Sequence, residues 1–339
     1  MEKEYNYGLA FLRIIMSFEV VVFHFGRTAY EDFFGGPLFV FSRLSGLAVP
    51  VFMIMAAFLT YDIFSSKDNC RFVTRTERII IPYLLWPIIA YVVLNGFSLV
   101  TKSMNSYSLK ELGLNIICGC TDPLYVVWFQ IDLLLCTVVV FLLFKIVNES
   151  AQTLVLVLII IMSLWIQYSG TNILVFSKCF PTNSTTYARF VEMLPCFSVG
   201  ILLSKYKVKE KLVPYWKQTV FVCAFIVAFL WKSNMFAELS GYNYQGIYPM
   251  IAGSIIFIAF LVLPIRDFKG ESIVKRVSSL TMGVYFIHTI VEKILFGYIN
   301  IFEKIEGTMV ACLFIFGISL LVSWLISCVP NRWIKSLVQ

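Results

Sequence analysis

The chain has 339 residues, of which 59% are hydrophobic and only 14% charged, with a net charge of +7 and a mean hydropathy of +0.84. Such a composition excludes an ordinary soluble globular protein and points to an all-α, polytopic membrane protein. The excess positive charge sits mostly in short loops between apolar runs, where it sets orientation, and its distribution does not suggest nucleic acid as a partner.

Runs of about 20 apolar residues, the length that crosses a bilayer, read at 8–27, 38–63, 79–100, 124–145, 152–169, 187–204, 217–232, 246–264, 277–297 and 308–329. The expectation is a bundle of about ten helices; 152–169 and 217–232 are short enough to be tilted or partly interfacial. No internal repeat, low-complexity tract or linker interrupts them. Residues 1–339 therefore read as a single integral membrane domain with no appended soluble domain, and any chemistry lies within the membrane or at its faces. The opening MEKEYNYG carries as much acid as base and no small-residue cleavage site follows, so no cleavable signal is read. An even helix count puts both termini on one side. Lys67, Arg71, Arg75, Arg78, the lysines at 205, 207, 209, 211 and 217, and Arg266, Lys269, Lys275 and Arg276 make that side cytoplasmic. The opposite loops hold mainly Arg27, Lys102, Lys110, Lys178, Lys232 and Lys304.

The first run, GLAFLRIIMSFEVVVFHF, carries Arg13, Glu19 and His24. Charge inside a span is costly, and it marks a protein interior or a water-filled cavity with a function. Arg13 and His24 differ by about 20° beyond three full helical turns and lie about 16 Å apart along the axis. They share one face with Ser17 and Val20, while Glu19 points away, toward another helix. The second run holds Arg43 near one end and Pro50 in its interior, where a proline either kinks the helix or simply packs. Next, Arg71, Arg75 and Arg78 follow one another at single-turn spacing where the third helix begins. Three guanidinium groups on one side suit a phosphate site, with lipid headgroups as the rival ligand.

The fourth run buries Asp132 about 12 Å below the outer surface. The sixth opens with Arg189 and Glu192, an i,i+3 pair that serves equally well as a structural ion pair. The ninth presents Tyr285, His288 and Glu292 on one face, where a carboxylate can orient an imidazole. His24 and His288 are the two histidines of the chain. A buried histidine is commonly structural, and both readings stay open for His288. For His24, the buried arginine on the same face favours function. The nine cysteines show no metal-ligand spacing with these histidines, so no metal is expected; Cys118, Cys120 and Cys179 fall in outer loops, where a disulfide is an open reading.

Together these residues resemble the acyltransferase-3 family of integral membrane acyltransferases, nearly end to end. The most specific element is the Arg-x10-His pattern of the first helix, met by Arg13 and His24. The proline and aromatic segment VPVFMIMAAFLTY is similar to the family's V-P-F-F-x-x-S-G-F/Y stretch. Further likeness lies in Arg75, Arg78 and Pro82, in Trp128-Phe129, in Pro195, Phe197 and Gly200, and in GVYFIHTIV around Tyr285 and His288. Two departures stand out: Ala56-Ala57 replaces the usual Ser-Gly, and Val126 stands where many members place a histidine.

The resemblance implies an acyl-CoA-dependent O-acyltransferase of a bacterial inner membrane, with cytoplasmic termini. The donor would be cytoplasmic acyl-CoA, most simply acetyl-CoA, and the acceptor a hydroxyl of an extracytoplasmic polysaccharide, lipopolysaccharide or related glycan or glycolipid. Membrane lipids surround it. The implied catalytic residues are His24 and Arg13, with Arg71, Arg75 and Arg78 on the nucleotide phosphates of CoA. His288, Glu292, Tyr285, Asp132 and Glu192 are candidates for catalytic or acceptor-side roles. His24 would act as general base on a ternary complex or be acylated itself. The reading from a different class is an exporter or flippase of polysaccharide or glycolipid without acyl-transfer chemistry, since intramembrane charge also marks transport paths. Matching repeat halves with paired broken helices, common in secondary transporters, are not evident.

Overall fold

Inside a bilayer each backbone N–H and C=O must be satisfied within its own segment, so long apolar runs fold as helices. The computed structural model describes residues 5–25, 45–102, 106–119, 121–169, 184–232, 246–298 and 308–338, and among these all regular structure is helical. The readings on Arg27, Arg43, Cys120, Lys178, Cys179, Lys304, the loop 28–37 and residues 170–183 lie outside the described residues. In chain order the helices are α1 (Tyr7–Phe25), a 3-10 turn (Ser45–Leu47), α2 (Ala48–Ser66), α3 (Asn69–Thr101), α4 (Leu109–Cys118), α5 (Trp128–Ile146), α6 (Glu149–Tyr168) and α7 (Ser184–Lys205). They continue as α8 (Val208–Leu212), a 3-10 turn (Val213–Tyr215), α9 (Trp216–Lys232), α10 (Ile247–Leu261), α11 (Glu271–Ser279) and α12 (Thr281–Glu292). A π-helical segment (Lys293–Tyr298), α13 (Met309–Cys328) and α14 (Arg332–Lys335) complete the series.

Each of the ten apolar runs coincides with a helix, but not all are membrane-length. Among the described residues seven are long and apolar enough to cross a membrane: α1, α2, α3, α5, α6, the continuous Val208–Leu230 and α13. The bent pair Glu271–Ser279 with Thr281–Tyr298 makes eight if it is one span. The chain is thus a multi-pass membrane protein whose helix count of ten is approximate. α10 has 15 residues. α7 opens on the polar stretch STTYARFVE.

Polar side chains set several helix starts by accepting the first free N–H groups. Asn6 Oδ1 accepts from Leu9 N at 3.0 Å, Asp68 Oδ1 from Arg71 N at 3.0 Å, Asn148 Oδ1 from Ala151 N at 3.0 Å, and Thr308 Oγ1 from Ala311 N at 3.3 Å. The Asp68 cap starts α3 well before the apolar run at 79–100, so Arg71, Arg75 and Arg78 belong to its first turns rather than to a loop. α4 opens with a reciprocal box: Ser108 Oγ accepts from Glu111 N at 3.2 Å, and Glu111 Oε2 accepts from Ser108 N at 2.6 Å. These bonds from Ser108 hold the Glu111 carboxyl below its usual range.

The helices fall into two units. The first takes α1 up to Met16, α2, α3 up to Phe72, α5 from Leu135, and α6 to α11 up to Ser278. Here α7 lies along α2. A side chain at Gly200 of α7 would meet the Ile54 carbonyl and stand 2.8 Å from the Ala57 Cβ, so small residues let the two backbones touch. The alanine in the Ser-Gly position of the family segment is part of that contact. Pro50 lies in the first turn of α2, where no helical hydrogen bond is lost, and its Cβ faces Gly253 of α10. Packing, not a kink, is its role. Phe64, Phe141, Phe144 and Phe197 close one end with ring centroids 6.1–6.3 Å from Phe64.

The second unit takes α1 from Ser17, α3 from Val73, α4, α5 up to Leu134, α12, the π segment, α13 and α14. α12 runs along α13, with Gly283 pressed against Ser323 and Val338. Trp86 of α3 stacks on Phe286 of α12 at 5.5 Å, and its Nε1 donates to Leu337 O at 3.0 Å. Phe18 meets Phe316 edge-on at 5.4 Å, and Glu19, only 3% exposed, faces α13 near Cys312. Glu19 therefore does meet another helix, as its position on α1 predicts.

Candidate active site

In the second unit α1 ends beside α12, and this brings the two histidines together. The imidazoles of His24 and His288 lie 5.4 Å apart, centroid to centroid, inclined by 32°. Beyond its own helix His24 also packs edge-on against Tyr125 at 5.2 Å, while Phe25 covers His288 at 5.9 Å. His24 is half-buried and His288 fully buried. The partners of His288 fix its tautomer. Nδ1 lies 3.1 Å from the Val284 carbonyl, which can only accept, so Nδ1 carries a proton, and in the neutral ring Nε2 is left with a lone pair. That Nε2 has no hydrogen-bond partner among the described residues. A buried polar atom without a partner is uncommon and calls for an explanation.

The structure corrects one expectation on this helix. Glu292 does not orient His288: Nδ1 bonds the Val284 carbonyl in the preceding turn, and Nε2 has no hydrogen-bond partner among the described residues. Glu292, half-buried, ends α12. Tyr285 does belong to the cluster: its ring is 6.2 Å from His288 and 5.7 Å from Phe129, and its hydroxyl donates to the Val126 carbonyl. At the position where many relatives have a histidine, Val126 thus contributes backbone. Asp132, one turn beyond Phe129 on α5, is wholly buried in this unit.

Other candidates stand elsewhere. In the first unit Arg13 donates from Nε to the Met55 thioether at 3.2 Å, and no carboxylate pairs with it among the described residues. A guanidinium has five N–H donors, so this one keeps most of them available to a ligand. Glu192 is buried on α7 in the same unit, with Arg189 half-buried one turn before it. On α3, Arg71 and Arg78 are exposed and Arg75 is half-buried. Cys118 is buried at the end of α4. No group of three His, Cys, Asp or Glu side chains is arranged as a metal site among the described residues.

Two residues that the sequence reading passed over belong to the histidine cluster. Tyr125 forms one wall of His24. Lys293, directly after α12, binds the Asp122 carboxylate and sits 5.8 Å over the Tyr125 ring. A lysine inside an apolar run is the same kind of signal that singles out Arg13. Tyr125 has no comparable mark, because its role depends on a contact between distant stretches of chain.

Membrane-length helices that bury imidazoles, carboxylates and a guanidinium define a polytopic membrane protein equipped for polar chemistry within the bilayer. Comparison with protein families makes the class particular: residues 6–328 match the acyltransferase-3 family, described as "Acyltransferase domain", and the chain belongs to it. It is a membrane acyltransferase. No curated protein and no solved structure matches the chain.

Proposed function

We propose that this acyltransferase moves an acyl group, most simply acetyl, from cytoplasmic acyl-CoA to a hydroxyl of an extracytoplasmic polysaccharide, lipopolysaccharide or related glycan in a bacterial inner membrane. The observation that carries the reading is the pairing of a half-buried His24 with a neutral His288 whose Nε2 lone pair is unclaimed among the described residues. His24 takes the proton of the acceptor hydroxyl as its oxygen attacks the thioester carbonyl carbon. The C–S bond then breaks, the acyl ester is left on the acceptor, and the imidazolium returns its proton to the departing CoA thiolate. A positioned base of this kind contributes about 10² to 10⁴ in rate. His288 offers its lone pair to the imidazolium that forms on His24, in surroundings dry enough to make the interaction strong.

The donor side rests on Arg13, Arg71, Arg75 and Arg78. Guanidinium groups bind phosphate oxygens in pairs, and successive helical turns at the start of α3 suit the clustered phosphates of CoA. Arg13, which spends only Nε on the Met55 thioether among the described residues, would offer its other N–H groups to the amides and carbonyls of the pantetheine arm. Tyr285, Asp132, Glu192 and Glu292 are then the candidates for the acceptor side.

The test is mass spectrometry of surface glycans from cells with and without the gene. A glycan that loses one acyl equivalent per repeat on deletion supports the reading and names the acyl group. A glycan that disappears from the surface, with its acylation unchanged inside, supports export instead. Unchanged glycans and glycolipids would overturn the assignment of acceptor.

A further inference from the structure

Lys293 is held by three acceptors, and none of the steps above uses it. Its ammonium has three N–H donors. They meet the Tyr107 hydroxyl at 3.1 Å, the Pro123 carbonyl at 3.0 Å and the Asp122 carboxylate. The same ammonium lies 5.1 Å over the Tyr107 ring and 5.8 Å over the Tyr125 ring. Its side chain is 16% exposed, so the bonds to Tyr107 and Pro123 are partly shielded from water and the stronger for it, while Asp122, 56% exposed, meets it at the surface.

The segment that Lys293 grips is built to be held. Tyr107 exchanges two hydrogen bonds with Asn95 of α3, at 3.0 and 2.7 Å. Asn115 of α4 donates to the Leu124 carbonyl at 3.0 Å and to the Thr121 carbonyl, and Tyr83 of α3 donates to the Ile116 carbonyl. Gly119, at φ 68°, lets the Trp128 amide reach its carbonyl at 2.9 Å; a Cβ there would stand 2.6 Å from the Trp128 nitrogen. Those bonds fix the backbone on either side of Tyr125. The Tyr125 ring itself is in reach of both residues, 5.8 Å from the Lys293 ammonium and 5.2 Å from the His24 ring.

We propose that Lys293 is a positioning residue for acyl transfer: by tying Tyr107, Asp122 and Pro123 to the end of the helix that carries His288, it seats the Tyr125 ring against His24. Lys293 touches neither imidazole. It sets where the wall of His24 stands and so how the base meets the acceptor. The inference rests on the acyl-transfer reading for its purpose, but not for its geometry.

The experiment uses the full-length protein in lipid nanodiscs, as wild type, Lys293→Met and Lys293→Arg. Diethyl pyrocarbonate labels the two histidines, and peptide mass spectrometry follows each separately. The methionine keeps the stem and removes every donor. His24 should then label several-fold faster, with buried His288 unchanged, and the arginine should restore the slow rate. In parallel, kcat for transfer from acetyl-CoA to surface polysaccharide extracted from the cells should fall by about 10²-fold, the scale of a misplacement on the order of 1 Å, while KM for acetyl-CoA stays the same. Equal His24 labelling in all three proteins overturns the proposal. Faster labelling of both histidines in the methionine variant overturns it too, since that reports general loosening. A wild type that labels as expected but transfers no acetyl group would count against the acyl-transfer reading and leave the positioning role decided by the labelling.

Discussion

The lone pair on His288 gives the active site its sharpest local test. Asparagine at this position reproduces the Nδ1–H donor to the Val284 carbonyl, but has nothing where Nε2 stood. His288→Asn should therefore keep the thermal stability of the purified protein while lowering kcat by about 10²-fold, at the low end for a lost proton-handling group. His288→Ala, which also abandons the carbonyl, should lose stability as well. An asparagine variant with full activity would make His288 a packing residue. At this scale the sequence was only partly legible. Arg13, His24, Asp132 and His288 stand out because charge in an apolar run is conspicuous. The closeness of His24 to His288 and Tyr125 does not, because each contact joins stretches far apart in the chain. The Glu292–His288 pairing does not form: Nδ1 bonds the carbonyl one turn back, and Nε2 has no partner among the described residues.

Among the elements, α4 has the clearest chemical switch. The Ser108 amide and hydroxyl stabilise the ionised Glu111 carboxylate, so its folded pKa lies below the unfolded value near 4.3. A depressed carboxylate pKa contributes stability that is fully present above the unfolded value and is lost as pH falls through the folded one. Hydrogen exchange of the first α4 amides, corrected for intrinsic rates, should show protection constant from neutral pH to about 4.3 and declining below it. Glu111→Gln should remove that dependence, and an equal slope in both proteins would contradict the account. Hydropathy finds every long apolar helix, yet it misplaces the start of α3, because Asp68 caps a basic stretch that hydropathy does not register. It also misses α4, whose ends are set by Ser108 and Gly119 rather than by apolar periodicity, and it reads the π segment only as the end of the run 277–297. For Pro50 position decides: first-turn placement makes a proline harmless that mid-helix placement would make a kink.

As a whole the molecule is a helical membrane protein whose membership of the acyltransferase-3 family spans residues 6–328. Composition was enough to read the class. The Arg-x10-His pattern was enough to suggest the family, because a charge costly in a bilayer persists only where it is used. The proposed chemistry makes His24 the group on which transfer depends. The direct measurement is transfer of labelled acetyl from acetyl-CoA to extracted surface polysaccharide by purified protein in proteoliposomes, comparing wild type with His24→Ala. The account predicts labelled polysaccharide with the wild type and a loss of at least about 10²-fold in the variant. Equal transfer by the two proteins would contradict it.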